Sequence, residues 1–280
     1  RNILPGWFRK IKSLVNFGSI SKAKILFVHE PLFGVGAGCF DQLLKGTKCV
    51  VKTLHSDHDP NFGSISPEPI PRNYGPAADY LKETPADFCL VTDGDADRIG
   101  GMDGQGGALT THQIICLLLR HFVKNRKGNG RVVKALTTTS MVDKMCVAWG
   151  LPLTVTGVGF KYICEEMLKG DVLLGFEESG GIGFPRYVPE RDGILAGMMI
   201  LEMLAVERKS LNNLLSELED TFGPHCYRRK DMYFEIHKRD LLMEKFANDP
   251  PHKLLRSSVT EVHSFDGIKL VASDGSWLMW

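Results

Sequence analysis

Short apolar runs alternate with longer amphipathic stretches along most of the chain. The short runs are rich in β-branched residues, whereas the longer stretches repeat apolar residues every three or four positions. This alternation is typical of βαβ units and predicts a mostly parallel sheet. The predicted strands are 24–28, 48–54, 88–92, 132–136, 153–155 and 171–175, and the predicted helices are 37–45, 75–83, 110–123, 141–149, 160–168 and 192–208.

The pattern breaks at two polar segments, which predict domain boundaries. One is KNRKGNGR at 124–131, and the other is TFGPH at 221–225. Beyond the second segment the chain is charged and β-rich, with predicted strands at 232–236, 259–262 and 268–271. The predicted domains are 1–126, 127–222 and 223–280, and we expect the last to be incomplete because no closing element follows. The repeated rhythm suggests duplication, but direct sequence similarity is too weak to establish it.

Composition excludes several classes of protein. The 280 residues are 43% apolar and 24% charged with a net charge of +1, so no nucleic-acid partner is expected. The seven cysteines are scattered singly and never form Cys-x-x-Cys, which favours small buried hydrophobes and a reducing cytoplasm. No apolar stretch approaches the ~20 residues that cross a bilayer, so we expect no membrane partner and a cytoplasmic location. Nothing in the pattern indicates the oligomeric state.

Three carboxylates at alternate positions, Asp93, Asp95 and Asp97, directly follow the predicted strand 88–92. Carboxylates this close repel one another unless a cation lies among them, and hard oxygen ligands suit a divalent ion such as magnesium. Ligands in open α/β sheets bind at the carboxyl ends of strands. The segment therefore predicts a magnesium loop, and the adjoining Arg98 is well placed to clamp a phosphate.

Three alternatives compete for this segment. A calcium-binding helix-loop-helix also begins with alternating Asp, but it needs Gly sixth and Glu twelfth, where this chain has Arg98 and Gly104. A phosphatase that uses Asp93 as its nucleophile also has Asp-x-Asp after a strand, and this alternative stays open. A solvated turn is the third, although it does not account for three carboxylates beside an arginine.

A second polar loop, GFEESGGIG at 175–183, also follows an apolar strand. Its glycines let the backbone approach a ligand, while Glu177 and Ser179 offer acceptors and donors that suit sugar hydroxyls. The alternative is a surface turn with solvated glutamates. The position at a strand end favours a binding site.

Two further segments offer cationic groups. In TVTGVGFK at 154–161, Gly157 and Lys161 lie at a strand-to-helix turn that could hold a phosphate, although such glycines are common and Lys161 could equally be solvated. Arg191 precedes Asp192, which is predicted to cap the helix 192–208. A basic residue there would be useful near the sugar hydroxyls for charge neutralisation or proton transfer.

Taken in series, these motifs resemble one family. DGDADR at 93–98 resembles the metal-binding loop of the α-D-phosphohexomutases, the phosphoglucomutase and phosphomannomutase superfamily. FEESG at 176–180 resembles its sugar-binding Gly-Glu-x-Ser-Gly loop, with Phe176 replacing the first Gly. TGVGFK between them and DPNFGSISPEPIP at 59–71 before them match the family's second and third domains in order. The resemblance implies an α/β fold of two consecutive α/β/α sandwich domains with mixed, mostly parallel sheets, plus a partial α+β C-terminal domain.

The resemblance also implies a reaction, the reversible transfer of phosphate between the 1 and 6 positions of a hexose phosphate. In the family this proceeds through a phosphoserine and a glucose 1,6-bisphosphate-type intermediate. The implied roles are magnesium binding by the three aspartates and catalysis by Arg98, which would steady the phosphoryl group. The implied substrate-binding residues are Glu177, Ser179, Gly157, Lys161 and Arg191.

The departures from the family pattern are also informative. The family's Thr/Ala-Ser-His-Asn-Pro phosphoserine motif has no counterpart, because Ser64 and Ser66 lack that context, and its Arg-x-Ser-Gly-Thr-Glu-Pro phosphate loop is not found. We therefore expect an internal fragment that lacks turnover by itself. A non-catalytic sugar-phosphate or metal-binding module is the alternative. The SPEP segment favours a phosphoglucomutase-like member, but the motifs do not distinguish glucose from mannose phosphates.

Overall fold

The computed structural model describes residues 2–233 and 235–280, and its contacts divide the chain into two compact units. The first unit ends at His225 and the second begins at Cys226. The first contains two mixed α/β sheets, and the second contains an antiparallel sheet. The predicted α/β fold class is thereby confirmed, whereas the domain boundaries after residues 126 and 222 stay a prediction.

The elements of the first unit follow the predicted alternation. Its strands are β1 (Leu26–Glu30), β2 (Val50–Thr53), β3 (Phe88–Thr92), β4 (Ile99–Asp103), β5 (Ala108–Leu109), β6 (Arg131–Ala135), β7 (Leu153–Thr156), β8 (Val172–Phe176) and β9 (Ile182–Gly183). Its helices are α1 (Leu4–Leu14), α2 (Phe17–Lys22), α3 (Cys39–Leu44), α4 (Gly75–Glu83), α5 (Thr111–Lys124), α6 (Met141–Trp149), α7 (Phe160–Leu168), α8 (Gly193–Glu207) and α9 (Leu211–Phe222). Short 3₁₀ turns lie at Phe62–Ser64 and Pro71–Asn73.

The two sheets of this unit have the same topology. Their strand orders are β2-β1-β3-β4-β5 and β7-β6-β8-β9. In each sheet the first three strands in sequence pair in parallel, and the fourth pairs antiparallel with the third. The loops that follow β3 and β8 therefore occupy the same topological position, at the carboxyl end of a parallel strand.

The two sheets share one large core. Side chains alternate along each strand, so Phe27 and Phe88 face this core, whereas Val28 and Cys89 face a smaller cluster under α4. In the second sheet, Val132 and Leu174 face the shared core, and α7 covers the opposite face. Helix α8 lies within the shared core and is buried at every position from Gly193 to Leu204, as expected for a segment that is apolar on all sides except at Glu202, which pairs with Arg126. One core thus fixes the two sheets relative to each other.

Side chains cap the starts of several of these helices, and the cap at Asp192 was predicted. The Thr110 side chain caps α5 in a capping box with Gln113, and the Asp192 carboxylate accepts from the Leu195 amide at the start of α8. Helix α9 was not predicted, although Ser210 caps it and its buried leucines repeat at helical spacing.

The second unit contains α10 (Ile236–Asn248) and four antiparallel strands, β10 (Lys253–Leu254), β11 (Ser257–His263), β12 (Lys269–Ala272) and β13 (Trp277–Met279), in sequential order. The predicted strands 259–262 and 268–271 correspond to β11 and β12. The predicted strand 232–236 is wrong in its described residues, while Phe234 lies outside them. Met232 and Tyr233 are irregular and exposed, so no buried face fixes a strand there, and Ile236 begins α10.

Two sequence-level expectations can be checked on the described residues. All seven cysteines are free, and four of them, Cys49, Cys89, Cys116 and Cys146, are buried as predicted. Within residues 2–233 and 235–280, no helix has the length and apolar character needed to span a bilayer.

Candidate active site

The predicted metal loop, Asp93–Arg98, begins directly after β3. One carboxylate oxygen each from Asp93, Asp95 and Asp97 lie within 4.8 Å of one another. Oxygens that share one octahedral Mg²⁺ lie about 2.9 to 4.2 Å apart, so a small contraction would complete the ligand set. Asp93 is fully buried, Asp97 is partly buried and Asp95 is exposed, which leaves Asp95 open to an arriving ion.

Arg98 holds the innermost aspartate from two directions. Its backbone amide donates to Asp93 Oδ1 at 3.0 Å, and its Nε donates to Asp93 Oδ2 at 2.5 Å. A carboxylate nucleophile needs an oxygen open to the phosphorus that it attacks. Both oxygens of Asp93 accept hydrogen bonds from Arg98 and the residue is buried, so a metal ion or a phosphorus atom that reached Asp93 would have to displace part of this contact.

Asp97 contributes the clearest indication that the loop suits a cation. Its Oδ1 is buried and has no hydrogen-bond partner among the residues that the structure describes, and Arg98 Nε lies 3.7 Å from it, beyond hydrogen-bond distance. Burial raises the pKa of Asp97 above its usual range, the Arg191 guanidinium opposes that rise, and the charge of Asp95 adds to it. A buried oxygen without a hydrogen bond costs free energy, which a bound cation would offset. The donor set therefore fits magnesium.

Two further segments support the metal loop: the segment directly after β1, which the sequence analysis did not single out, and the segment 59–71, which it noted only for its resemblance. The Val35 amide donates to the Gly94 carbonyl at 3.0 Å, and the Gly94 amide donates to the Pro67 carbonyl at 3.1 Å. A Cβ at Gly34 would lie 2.7 Å from the backbone oxygens of Asp93 and Gly94, so only glycine fits without a backbone shift. The two glycines of PLFGVG, directly after β1, were the available sequence signal.

The predicted sugar loop, Glu177–Gly181, follows β8 and leads into β9. Its two predicted ligands lie together, because Ser179 Oγ donates to Glu177 Oε1 at 2.6 Å. Glu177 is buried, and its amide donates to the Gly181 carbonyl at 3.1 Å, which closes the turn. The loop thus presents a carboxylate and a hydroxyl in a fixed arrangement at a strand end.

Two threonines anchor this loop and were also missed. Thr137 Oγ1 donates to the Glu178 carboxylate, and Thr111 Oγ1 donates to the Glu178 carbonyl at 2.5 Å. Thr137 follows β6, which neighbours β8, so its place at the same sheet edge was the available signal.

The metal loop and the sugar loop are joined by backbone hydrogen bonds. The Ile99 amide donates to the Gly180 carbonyl at 3.1 Å, and Arg98 forms an antiparallel bridge with Gly181. The Gly193 amide, at the start of α8, donates to the Ala96 carbonyl at 2.9 Å. The two loops therefore form one continuous site.

Of the remaining predicted residues, Arg191 reaches both loops. Its Nε donates to Asp97 Oδ2 and its Nη1 donates to Glu177 Oε1, each at 2.5 Å. Gly157 is buried at the end of β7, while Lys161 is exposed and its ammonium lies 4.7 Å from the Tyr162 ring centroid. Strand β6 lies between β7 and β8, so the structure places these two residues one strand beyond the sugar loop.

Comparison with known proteins agrees with this architecture. Sequence models of the phosphoglucomutase/phosphomannomutase α/β/α domains II and III match residues 5–106 and 110–222. The chain belongs to the phosphoglucomutase/phosphomannomutase family.

Three similar proteins illustrate the relationship. A phosphoglucomutase/phosphomannomutase of Thermococcus kodakarensis is 27% identical over 278 residues, which cover 99% of this chain and 58% of that protein. A crystal structure of a candidate phosphomannomutase from Thermus thermophilus has a TM-score of 0.86 and 32% identity, covering 100% of this chain and 60% of that chain. An Aspergillus fumigatus N-acetylphosphoglucosamine mutase in complex with GlcNAc-6P and magnesium shares the fold, with a TM-score of 0.57 and 18% identity over 76% of this chain and 53% of that chain. The chain thus spans less than two thirds of the length of these proteins.

Proposed function

We propose that this chain supplies the metal loop and the sugar loop of a magnesium-dependent hexose-phosphate mutase of carbohydrate metabolism. The reaction is transfer of a phosphoryl group between the 1 and 6 positions of a hexose phosphate in the cytoplasm. The phosphoserine and the second phosphate loop belong to other parts of the full-length protein in this proposal. The observation that carries it is the junction of the acidic loop with the loop that presents Glu177 and Ser179, through Ile99 N and Gly180 O at 3.1 Å.

Relatives support the substrate class. Their names cover phosphoglucomutase and phosphomannomutase, and one more distant structure contains GlcNAc-6P and magnesium. The proposal includes a bisphosphorylated hexose, as intermediate or activator, because a phosphoserine that gives its phosphate to a hexose monophosphate before it takes the other phosphate leaves both positions phosphorylated in between. The choice among hexoses is left open by this proposal.

Each loop has a defined role in the proposed mechanism. Asp93, Asp95 and Asp97 hold the ion, which when bound supplies positive charge that offsets the charge of phosphoryl oxygens. Arg98 is the proposed catalytic residue. Its guanidinium carries five N–H donors, and the contact with Asp93 through Nε uses one of them, so others can steady a phosphoryl group.

The sugar side of the site binds hydroxyls and a phosphate. Glu177 accepts from ring hydroxyls and Ser179 exchanges its present hydrogen bond to Glu177 for one to the sugar. Gly157 and Lys161, at the start of α7, bind the phosphate remote from the reacting one. Arg191 completes the substrate-binding set by holding Glu177 in place.

A titration with magnesium tests the metal loop directly. Calorimetry on the 280-residue chain is expected to show one Mg²⁺ site, and Asp95→Asn is expected to weaken it by at least about tenfold because a charged oxygen ligand is lost. Asp171→Asn, at an exposed aspartate before β8, removes the same charge and serves as the control. Absence of binding by the parent chain, or equal loss in both variants, would contradict the assignment.

An assay of the full-length protein separates the mutase from the non-catalytic alternative. Glucose 1-phosphate and mannose 1-phosphate should each be tested with and without Mg²⁺. Turnover that requires the ion supports the mutase and identifies the preferred hexose. Retained Mg²⁺ binding without turnover of either sugar would indicate a binding module instead.

A further inference from the structure

We infer that Arg191 is a positioning residue that couples occupancy of the metal loop to the geometry of the sugar loop. The inference rests on the proposed function for the identities of the two loops. Its starting point is one guanidinium shared between two carboxylates that belong to different loops. Nε donates to Asp97 Oδ2 and Nη1 donates to Glu177 Oε1, both at 2.5 Å.

The backbone around Arg191 leaves the side chain little freedom to follow one loop alone. Arg191 forms an antiparallel bridge with Gly183, and the next amide, that of Asp192, donates to the Ile182 carbonyl at 3.3 Å. The Gly193 amide then donates to Ala96 in the metal loop at 2.9 Å. The residue is therefore fixed at the junction by hydrogen bonds to both sides.

The side chain of Asp192 strengthens this anchor. One oxygen caps α8 through the Leu195 amide at 2.8 Å, and the other accepts from the Tyr187 hydroxyl at 2.8 Å. Trp7 Nε1 of α1 donates to the same tyrosine oxygen at 2.8 Å. Arg191 thus precedes a helix start that three separate elements fix in place.

The charges decide the direction of the coupling. Asp97 Oδ2 accepts from Arg191. The buried Oδ1 has no hydrogen-bond partner among the described residues, so it is available to a cation. An ion bound at Oδ1 draws charge from Asp97 and repels the guanidinium, so Arg191 interacts more strongly with Glu177. Coupling of this kind is reciprocal, so a change at Glu177 must alter the affinity for Mg²⁺.

The sugar loop offers a matched pair of glutamates for testing this. Glu177 touches Arg191, whereas the Glu178 carboxylate accepts from Thr137 instead. Glu177→Gln leaves the whole positive charge of Arg191 on Asp97, where it opposes Mg²⁺. Glu178→Gln removes the same charge without that redistribution. We expect Glu177→Gln to weaken Mg²⁺ binding about fivefold more than Glu178→Gln, as measured by calorimetry.

Arg191→Lys provides the variant that keeps the charge. An ammonium is a compact point charge that lacks the planar fork of a guanidinium, so it cannot bridge the two carboxylates in the same way. In the parent chain, which has the arginine, the two glutamine variants should differ, and in the Arg191→Lys background that difference should be smaller because the fork between the two carboxylates is lost. An undiminished difference without Arg191 would overturn the coupling.

A spectroscopic readout reports the same event without depending on affinity. The Nε–Hε resonance of Arg191, assigned by its loss in Arg191→Lys, should shift during an Mg²⁺ titration with the midpoint found by calorimetry. Arg131, paired with Glu166 at 2.6 Å on the far side of the second sheet, is the control and should not shift. A chain that binds Mg²⁺ while the Arg191 resonance stays in place overturns this inference alone. A chain that binds no Mg²⁺ overturns the proposed metal loop together with the coupling.

Discussion

The two sheets of the first unit place different chemistry at the same topological position. When the strands of each sheet are numbered by their order in the sequence, the first four have the spatial order 2-1-3-4 in both sheets. In both, the candidate loop joins the third strand to an antiparallel fourth strand. The loop after β3 presents carboxylates, whereas the loop after β8 presents glycines with one buried carboxylate and one hydroxyl. Topology therefore determines where a loop lies, and its residues determine what it binds.

The side chains beneath the loops also differ. The fourth residue of the first strand is His29 in one sheet and Lys134 in the other, and both are buried. His29 lies 3.0 Å from the Thr92 hydroxyl, and burial lowers its pKa to about 3, so it is neutral beside the acidic loop. Lys134 is paired with Asp143 and donates to the Thr139 carbonyl at 3.2 Å, so it organises the loop after β6 by charge. The comparison indicates that a buried lysine organises the loop after β6 in the second sheet, whereas close packing supports the loop after β3 in the first sheet.

The largest expected effect comes from removing that cation. Lys134→Met should lower the free energy of unfolding by about 3 kcal/mol, because two loop carbonyls and Asp143 lose their buried donor. Urea unfolding followed by tryptophan fluorescence measures this. Lys169→Met, which breaks an exposed pair with Glu166, is the control and should remain within experimental error. Equal effects in the two variants would show that the second sheet does not depend on its buried charge.

The next effect concerns packing around the first loop. Gly34→Ala should cost about 2 kcal/mol, because its new Cβ would lie 2.7 Å from two backbone oxygens of the metal loop. Gly183→Ala, beside the sugar loop, brings its Cβ 2.6 Å from Met167 Sδ, and a flexible methionine can move away at lower cost. Thermal unfolding of both variants compares them. If Gly183→Ala proves the more damaging, the proposed contrast in how the loops are supported is wrong.

The smallest effect is a pH dependence. Because the pKa of His29 is lowered to about 3 when folded, its contribution is complete above its unfolded pKa of ~6.5 and is lost as the pH falls below it. Between pH 7.5 and 5.5 this loss amounts to about 1.4 kcal/mol. His29→Asn should remove that part of the slope in urea unfolding. Val28→Ala, a core substitution next to it, should lower stability equally at both pH values and leave the slope unchanged.

Most strands and helices of the first unit could be predicted from the pattern of apolar residues. Strand β3 was predicted at its observed bounds because a continuous apolar run ends sharply at Asp93. Strand β4 was missed because IGGMD contains two glycines, and its pairing with β3 depends on burial rather than intrinsic preference. Helix α9 carried a readable signal in its cap and its spaced leucines, so that omission was avoidable.

The site was predicted in its parts but not in its connections. The aspartates, Glu177 and Ser179 were identified from residues that are near one another in sequence. The pairing of Arg191 with Asp97 spans 94 positions, and no local pattern specifies such a contact. The contacts of Gly34 and Pro67 with the metal loop were not predicted for the same reason, since these residues become neighbours of Gly94 only when the chain is folded.

The backbone hydrogen bonds between Ile99 and Gly180 and between Gly193 and Ala96 restrict how the two sheets can move relative to each other. A hinge between the two sheets would have to break both of these backbone links and separate Arg191 from one of its carboxylates. Under the proposed function, a bisphosphorylated sugar that presents each end in turn would therefore rotate against two loops that stay fixed relative to each other.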